Sequence, residues 1–195
     1  MDHHAVELLK EELNAYTSME TKTKEINKRN ILGPNTIYTC TENLYIKTLT
    51  KSEDLLKTSS AIYTGSIKCF HAKFIIKPPG AMGFMPHQDY EYWRNNGYAG
   101  KSIHTIIIAI EKGTIANGTT QVIPGSHRME IFRDSTFEYE IEAKLREKGF
   151  NAIPVELDPG DAIIFHGNTI HKSNQNLSST WRNFIVLSAV VTDKG

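Results

Sequence analysis

The chain has 195 residues, and 22 Lys and Arg against 22 Asp and Glu give a formal net charge of zero. This length predicts a single domain whose core needs no disulfides, and the balanced charge disfavours nucleic acid or an anionic membrane as a partner. The two cysteines, Cys40 and Cys69, fit a reducing compartment, and the sequence has neither an apolar leader nor an apolar run long enough for a membrane span. We therefore expect a soluble, cytoplasmic protein that acts on a small molecule.

The first part of the chain has helical patterns. Apolar residues recur at helical spacing over 5–16 and predict an amphipathic helix. The polar, lysine-rich stretch 17–35 predicts a loop or a frayed helix. Ser52, followed by two acidic residues, has the pattern of a helix N-cap.

The rest of the chain is dominated by strand patterns. Short runs of β-branched and apolar residues, bounded by Gly and Pro turns, predict strands at 68–76, 102–111, 119–123, 154–157, 162–165 and 183–191. A segment with Glu/Lys pairs, 137–148, predicts a surface helix. Several short strands with helices gathered at the front predict a mainly β domain with flanking helices, either a β-sandwich or a jelly roll.

The residue pattern that carries chemistry is His87-Gln88-Asp89, followed much later by His171. Two imidazoles and one carboxylate can occupy one face of a metal ion and leave the other face open, which is the 2-His-1-carboxylate arrangement of non-haem Fe(II) oxygenases. His87 follows a proline, as residues at a strand start or edge often do, and His171 lies just beyond an apolar strand. We predict that His87, Asp89 and His171 are metal ligands at the mouth of one barrel and form the catalytic centre.

Two residues that follow His171 in the chain, Ser173 and Arg182, fit the binding of a dicarboxylate cosubstrate. A 2-oxoacid that chelates the open face of the metal needs a cation for its remote carboxylate, and Arg182 is the candidate. Ser173 would add a hydroxyl donor to the same carboxylate. The pattern predicts an Fe(II)- and 2-oxoglutarate-dependent dioxygenase that uses O₂ to hydroxylate an unactivated C–H bond, with release of succinate and CO₂.

At these residues the chain resembles the phytanoyl-CoA dioxygenase family. The matching motifs are Lys77-Pro78-Pro79, His87-Gln88-Asp89, Asn117-Gly118, Val122-Ile123-Pro124-Gly125-Ser126-His127-Arg128, Pro159-Gly160-Asp161-Ala162, and His171-x-Ser173-x-x-Asn176 with Arg182. The resemblance implies one dioxygenase domain over 1–195. That domain would comprise a double-stranded β-helix (jelly-roll) core at 44–192 and a helical and loop extension at 1–43.

The resemblance also implies functions for individual residues. His87, Asp89 and His171 correspond to the iron ligands of the family, and Arg182 and Ser173 to the residues that hold the 2-oxoglutarate carboxylate. By their positions on neighbouring strands, Thr105 and Lys73 are expected to be further cosubstrate or pocket contacts.

A local similarity narrows the substrate. Asp89-Tyr90-Glu91-Tyr92-Trp93 is similar to the ectoine hydroxylase branch, which implies that Tyr90, Glu91 and Trp93 contact the substrate. Aromatic walls with an acid suit a small amino-acid-like or zwitterionic metabolite. Asp89 itself favours hydroxylation, because related halogenases lack this carboxylate so that chloride can bind the iron.

Three alternatives remain open at this stage. The same chemistry could act on an acyl-CoA or carrier-bound substrate, which would need a long apolar groove. A cupin-like Zn or Mn protein without oxygenase activity would share the three ligands but would not need Arg182 and Ser173. A non-catalytic jelly-roll binding module would have no need for a metal site with one open face.

Overall fold

The computed structural model describes residues 1–20, 36–39, 43–62, 66–99, 102–129, 143 and 145–192. The α-helices are α1 (His3–Glu20), α2 (Leu44–Leu49), α3 (Glu53–Ile62) and α4 (Tyr90–Trp93), the last followed by a π-helical turn at Arg94–Tyr98. The strands are β1 (Thr36–Thr39), β2 (Ser66–Lys77), β3 (Ile103–Ala109), β4 (Thr120–Val122), β5 (Ile153–Pro154), β6 (Ala162–His166), β7 (His171–Ser173) and β8 (Arg182–Thr192).

The strands form two antiparallel sheets. The larger has the order β1-β2-β8-β3-β6 and the smaller the order β5-β4-β7. An antiparallel bridge between His87 and His171 adds the segment at His87 to the edge of the smaller sheet. Strands β2, β8, β3 and β6 form one layer, and the His87 segment with β7, β4 and β5 forms the other. The two layers together form a jelly roll, which confirms the fold expected from the sequence.

The two sheets pack face to face through a small apolar core. Ile107, Phe184 and Val186 of the larger sheet are buried against Leu157, with Val122 of the smaller sheet packed at the side. The opposite face of the larger sheet is covered by helices, with Leu9 and Leu13 of α1 and Ile46 of α2 in the same buried cluster as strand residues. Strand β3 is therefore buried on both faces, which explains why residues 105–108 are all β-branched.

A β-bulge in β2 sets which of its side chains face the site. The register with β8 shifts between Cys69 and His71. Before the bulge Ile67 faces the helices, whereas after it Phe74 and Ile76 do so. Because side chains alternate along a strand, the bulge turns the other set, His71, Lys73, Ile75 and Lys77, toward the interior of the jelly roll.

Most predicted elements are present with shifted ends. The helix predicted at 5–16 runs over His3–Glu20, and Ser52 caps α3 by accepting a hydrogen bond from the Leu55 N–H at 3.4 Å. The strand predicted at 154–157 is shorter, Ile153–Pro154. Beyond it the Val155 N–H donates to the Thr120 carbonyl at 2.9 Å, and Leu157 forms an isolated bridge with Gly113.

Other predictions fall partly outside the described residues. Of the helix predicted at 137–148, residues 143 and 145–148 are described, and of these 143 and 145–147 are helical. Of the stretch 17–35, residues 17–20 are described and continue α1. The organisation of 1–195 as one domain stays a prediction. Across the described residues, no helix has the length and apolar character that crossing a membrane requires.

Candidate metal centre and anion pocket

Three side chains predicted as metal ligands lie together between the two sheets. One ligand atom from each of His87, Asp89 and His171 lies within 4.8 Å of the others, and in the described part of the chain this is the one group of His, Cys, Asp and Glu side chains that could hold a metal ion. The Nε2 atom of His87 is 3.8 Å from Asp89 Oδ1, and that of His171 is 3.7 Å from Asp89 Oδ2. Two imidazole nitrogens and one carboxylate are a donor set that suits Fe(II).

The backbone holds both histidines in one orientation. His87 and His171 exchange two backbone hydrogen bonds of 3.0 Å, so their side chains lie on the same face of the smaller sheet. The Nδ1 atom of His87 is 2.7 Å from the Met85 carbonyl oxygen, and that of His171 is 3.1 Å from the Thr169 carbonyl oxygen. An Nδ1–H that donates to a carbonyl leaves the Nε2 lone pair for a metal.

The carboxylate of Asp89 is oriented by a threonine. The Thr105 hydroxyl on β3 donates a hydrogen bond of 2.5 Å to Asp89 Oδ2, and both residues are buried. Burial raises the pKa of Asp89, but His171, Lys73, His87 and the Thr105 hydroxyl together outweigh it and keep this pKa well below its usual value. Asp89 is therefore an anion that stays ionised at neutral pH.

Burial keeps the first histidine in its metal-binding form. It lowers the pKa of His87 to about 4, and the nearby His171 acts in the same direction. The imidazole is therefore neutral near pH 7, as a metal ligand must be.

A lysine lies on the same side of β2 as the metal group. Lys73 is half-buried, and its positive charge lowers the pKa of Asp89, His87 and His71. Burial, followed by Lys73, lowers the pKa of His71 to about 4. The positive charge of Lys73 thus acts on the metal end of the interior.

A second polar group, which we call the anion pocket, consists of Lys77, Ser173 and Arg182 with the carbonyl of Gly118. Lys77 and Arg182 are register partners on β2 and β8 and have 0% and 2% of their surface exposed. Ser173 lies two residues after His171 on β7, hence on the same face and about 7 Å along the strand. The anion pocket therefore lies beside the metal group.

Arg182, the arginine of the anion pocket, donates one hydrogen bond to the protein but has a further N–H without an acceptor in the described residues. Its Nη1 atom donates a hydrogen bond of 3.1 Å to the Gly118 carbonyl, and its guanidinium lies 4.3 Å from the centroid of the Phe184 ring. Its Nε atom is buried and has no acceptor among the described residues. Burial lowers the pKa of Arg182 to about 9, which leaves it charged at neutral pH.

The residues predicted as substrate contacts lie on α4, directly after Asp89. Glu91 forms an ion pair of 3.0 Å with Arg94. The Trp93 ring packs against Phe70 and His71 at centroid distances of 5.0 and 4.9 Å. Tyr90 is half-buried, and its N–H donates to the Gly167 carbonyl at 3.0 Å.

Sequence reasoning missed two residues near the metal group. Lys77 was noted as part of a motif but not as a functional residue, although it lies four positions after Lys73 and so on the same face of β2. Tyr92, whose ring centroid is 6.1 Å from that of His87, is 55% exposed. The two-residue period of the strand could have indicated Lys77 from the sequence, whereas nothing in the sequence indicates that Tyr92 is exposed beside His87.

Comparison with known sequences gives one consistent result. Residues 5–184 match the sequence profile of the family described as phytanoyl-CoA dioxygenase (PhyH). A phytanoyl-CoA dioxygenase of Arabidopsis thaliana is 32% identical over 127 residues, covering 62% of this chain and 43% of that protein. Phytanoyl-CoA dioxygenase 1 of Oryza sativa subsp. japonica is 31% identical over 129 residues, with the same coverage. The chain thus spans less than half the length of these curated relatives.

Comparison with solved structures supports the fold. EctD from S. alaskensis with bound Fe superimposes with a TM-score of 0.77 at 19% identity, covering 98% of this chain and 70% of that one. The non-heme alpha-ketoglutarate-dependent epimerase SnoN from nogalamycin biosynthesis gives a TM-score of 0.77 at 16% identity, covering 98% and 75%. At these identities the likeness concerns the fold.

Proposed function

Because the chain belongs to the phytanoyl-CoA dioxygenase family, we propose that it is an Fe(II)- and 2-oxoglutarate-dependent dioxygenase that hydroxylates a C–H bond of a small molecule. The observation that carries this proposal is the pairing of two sites. A group of two histidines and one aspartate lies beside a buried polar cluster that contains two basic residues, Lys77 and Arg182. A metal-chelating dicarboxylate would fill both.

The charge balance of the anion pocket supports a dicarboxylate. Within the described ranges, neither Lys77 nor Arg182 has a carboxylate within ion-pair distance, and both are buried. A buried cation without a counter-ion is costly, so a pocket of this kind favours an anionic ligand. A Zn or Mn protein of cupin type would leave both cations without a use, which is why we rank it second.

Each residue of the centre has a proposed role. His87, Asp89 and His171 would hold the iron, and Arg182 and Ser173 would hold the remote carboxylate of the cosubstrate. Fe(II) and 2-oxoglutarate, when bound, would supply the activation of O₂ and the oxidative decarboxylation that yields succinate and CO₂.

Two more residues act on these groups. Thr105 orients Asp89 through its hydroxyl. We propose that Lys73 is a cationic contact at the metal end of the pocket, for the cosubstrate or for an anionic part of the substrate.

We propose a small amino-acid-like or zwitterionic metabolite as the substrate, with Tyr90, Glu91 and Trp93 at its binding site. The position of α4 directly after Asp89 supports this. The Glu91–Arg94 ion pair means that a cationic substrate group would have to share Glu91 with Arg94 or displace it. The alternative is an acyl-CoA or carrier-bound substrate, which the names of the curated relatives favour.

The experiment that tests the chemistry needs no substrate. Anaerobic protein is mixed with Fe(II) and 2-oxoglutarate, and the visible metal-to-ligand charge-transfer band of the chelate is recorded for the wild type and for Arg182→Ala. We expect a band in the wild type and a higher cosubstrate requirement in the variant. A folded wild-type protein that binds Fe(II) but gives no band contradicts the proposal. Succinate release with pooled free amino acids against acyl-CoA thioesters then separates the two substrate classes.

We further propose a cytoplasmic location and no nucleic-acid partner. The balanced charge and the small number of cysteines support both.

A further inference from the structure

Lys77 makes three hydrogen bonds that link the parts of the anion pocket. Its Nζ atom donates to Ser173 Oγ at 3.1 Å, to the Gly118 carbonyl at 3.3 Å and to the Asn174 carbonyl. In its ammonium form, which a bound anion favours, a lysine has three donors and no acceptor. All three donors of Lys77 are therefore used by the protein, and Lys77 acts on a ligand through its neighbours.

The first of these neighbours is the hydroxyl of Ser173. A hydroxyl has two acceptor lone pairs and one donor. The Ser173 Oγ atom accepts from Lys77 at 3.1 Å and from the Phe84 N–H at 3.1 Å, which uses both lone pairs. Over the described part of the chain its own O–H has no acceptor. Ser173 can therefore only donate to a ligand.

The second neighbour is the Gly118 carbonyl, which also accepts from Arg182 Nη1 at 3.1 Å. This shared acceptor ties the two cations to one backbone atom. The Nε atom of Arg182 is left buried without an acceptor in the described residues. The Ser173 O–H and the Arg182 Nε–H are thus two unused donors, attached to a cluster that Lys77 holds together.

We propose that Lys77 is a positioning residue that makes Ser173 an obligate hydrogen-bond donor and fixes Arg182 through Gly118, so that the anion pocket selects 2-oxoacids with a remote carboxylate. This inference rests on the proposed function. A carboxylate offers only acceptors, and it meets two donors, the positive charge of Arg182 and the ammonium form of Lys77, which a bound anion favours. A 2-oxoacid with an apolar end would leave these buried donors unpaired, which is costly.

The test compares two cosubstrates that differ at the remote end. Anaerobic Fe(II) protein is titrated with 2-oxoglutarate and with 2-oxovalerate, a five-carbon 2-oxoacid that lacks the remote carboxylate, and dissociation constants are read from the charge-transfer band. The variants are Lys77→Met, which keeps the side-chain stem, and Ser173→Ala. Lys68→Met, at an exposed position of the same strand, is the matched control.

We expect Lys77→Met to weaken 2-oxoglutarate binding roughly 10- to 100-fold and to change 2-oxovalerate binding about threefold or less. Only 2-oxoglutarate has a remote carboxylate that can accept the hydrogen bonds of the anion pocket. Ser173→Ala should show the same selectivity loss. In the double variant the two effects should add only in part, because Lys77 acts through Ser173 as well as through Gly118. Lys68→Met should match the wild type.

Equal weakening of both cosubstrates, or no weakening of either, would show that Lys77 only supports the fold and would overturn the inference. If Lys77→Met does not fold, Ser173→Ala decides, and unchanged selectivity in that variant overturns the inference as well. No band from the wild type with 2-oxoglutarate contradicts the proposed function instead, so the two failures are distinguishable.

Discussion

His87 and His171 form a hydrogen-bonded pair across two neighbouring strands, each donating its backbone N–H to the carbonyl of the other at 3.0 Å. Residues that face each other in this way in an antiparallel ladder carry their side chains on the same face. The two histidine rings accordingly lie 4.1 Å apart by centroid. The positions of the two histidines of the metal group are thus set by the backbone ladder of the smaller sheet.

Each ligand should be required for iron binding. Replacing His87, Asp89 or His171 by alanine is expected to reduce bound Fe(II) to the level of a non-specific control, because two remaining ligands hold a divalent ion weakly. Isothermal titration with Fe(II) under argon measures this, and far-ultraviolet circular dichroism checks the fold. Undiminished affinity in any one variant would remove that residue from the ligand set.

The hydroxyl of Thr105 should tune the iron affinity. Thr105→Val removes the 2.5 Å hydrogen bond to Asp89 at nearly constant volume, and the loss of such an outer contact to a metal ligand commonly costs about 10- to 100-fold in affinity. The matched control is Thr119→Val, whose hydroxyl donates to the Val155 carbonyl at 2.6 Å away from the ligands. Fe(II) titration of both variants tests this, and an equal change in the two would contradict it.

The burial of Lys77 should appear in the pH dependence of stability. Burial, and then the charge of Arg182, lowers the pKa of Lys77 from 10.5 to about 7. Between these values the unfolded chain binds a proton at Lys77 that the folded chain has released, so Lys77 adds to the free energy of unfolding as the pH rises. In protein without metal or cosubstrate, we expect the wild type to gain stability relative to Lys77→Met between about pH 7 and 9.

Urea denaturation at several pH values measures this difference. A constant difference between wild type and Lys77→Met across that range would show that Lys77 keeps an ordinary pKa in the folded chain. Saturating 2-oxoglutarate with Fe(II) should remove the trend, since a bound carboxylate favours the ammonium form.

Gly118 should tolerate no side chain. Its φ of +71° is a left-handed conformation, and a β-carbon there would approach the Asn174 carbonyl closely and lie 2.8 Å from Lys77 Nζ. Gly80, with a φ of +81° and no atom within 4 Å of an added β-carbon, carries the conformational cost without the steric one. Both alanine variants should lose about 1–2 kcal/mol from the backbone conformation, and Gly118→Ala should lose clearly more and bind 2-oxoglutarate less tightly.

Thermal denaturation and cosubstrate titration of the two glycine variants check this. Equal losses of stability, with unchanged cosubstrate binding, would mean that the carbonyl of Gly118 is not a fixed part of the anion pocket.

The sequence alone determined the donor set of the candidate metal centre and the class of fold. Ligand types and their short spacing, His87 next but one to Asp89, are local properties, and a 2-His-1-carboxylate set limits the metal by its donor atoms alone. The strands could be located because runs such as 105–108 are β-branched, as is typical of a strand that is buried on both faces. Their ends could not, because strand ends depend on the partner strand.

Only the tertiary structure decided which side chains face the interior. The bulge between Cys69 and His71 changes the side-chain parity of β2, and a single extra residue of this kind leaves no reliable mark in the sequence. The same parity places Lys77 opposite Arg182. Their burial together, and the hydrogen bonds that leave Ser173 only a donor, depend on contacts between residues far apart in the chain. Such contacts exist once the sheets have closed on each other.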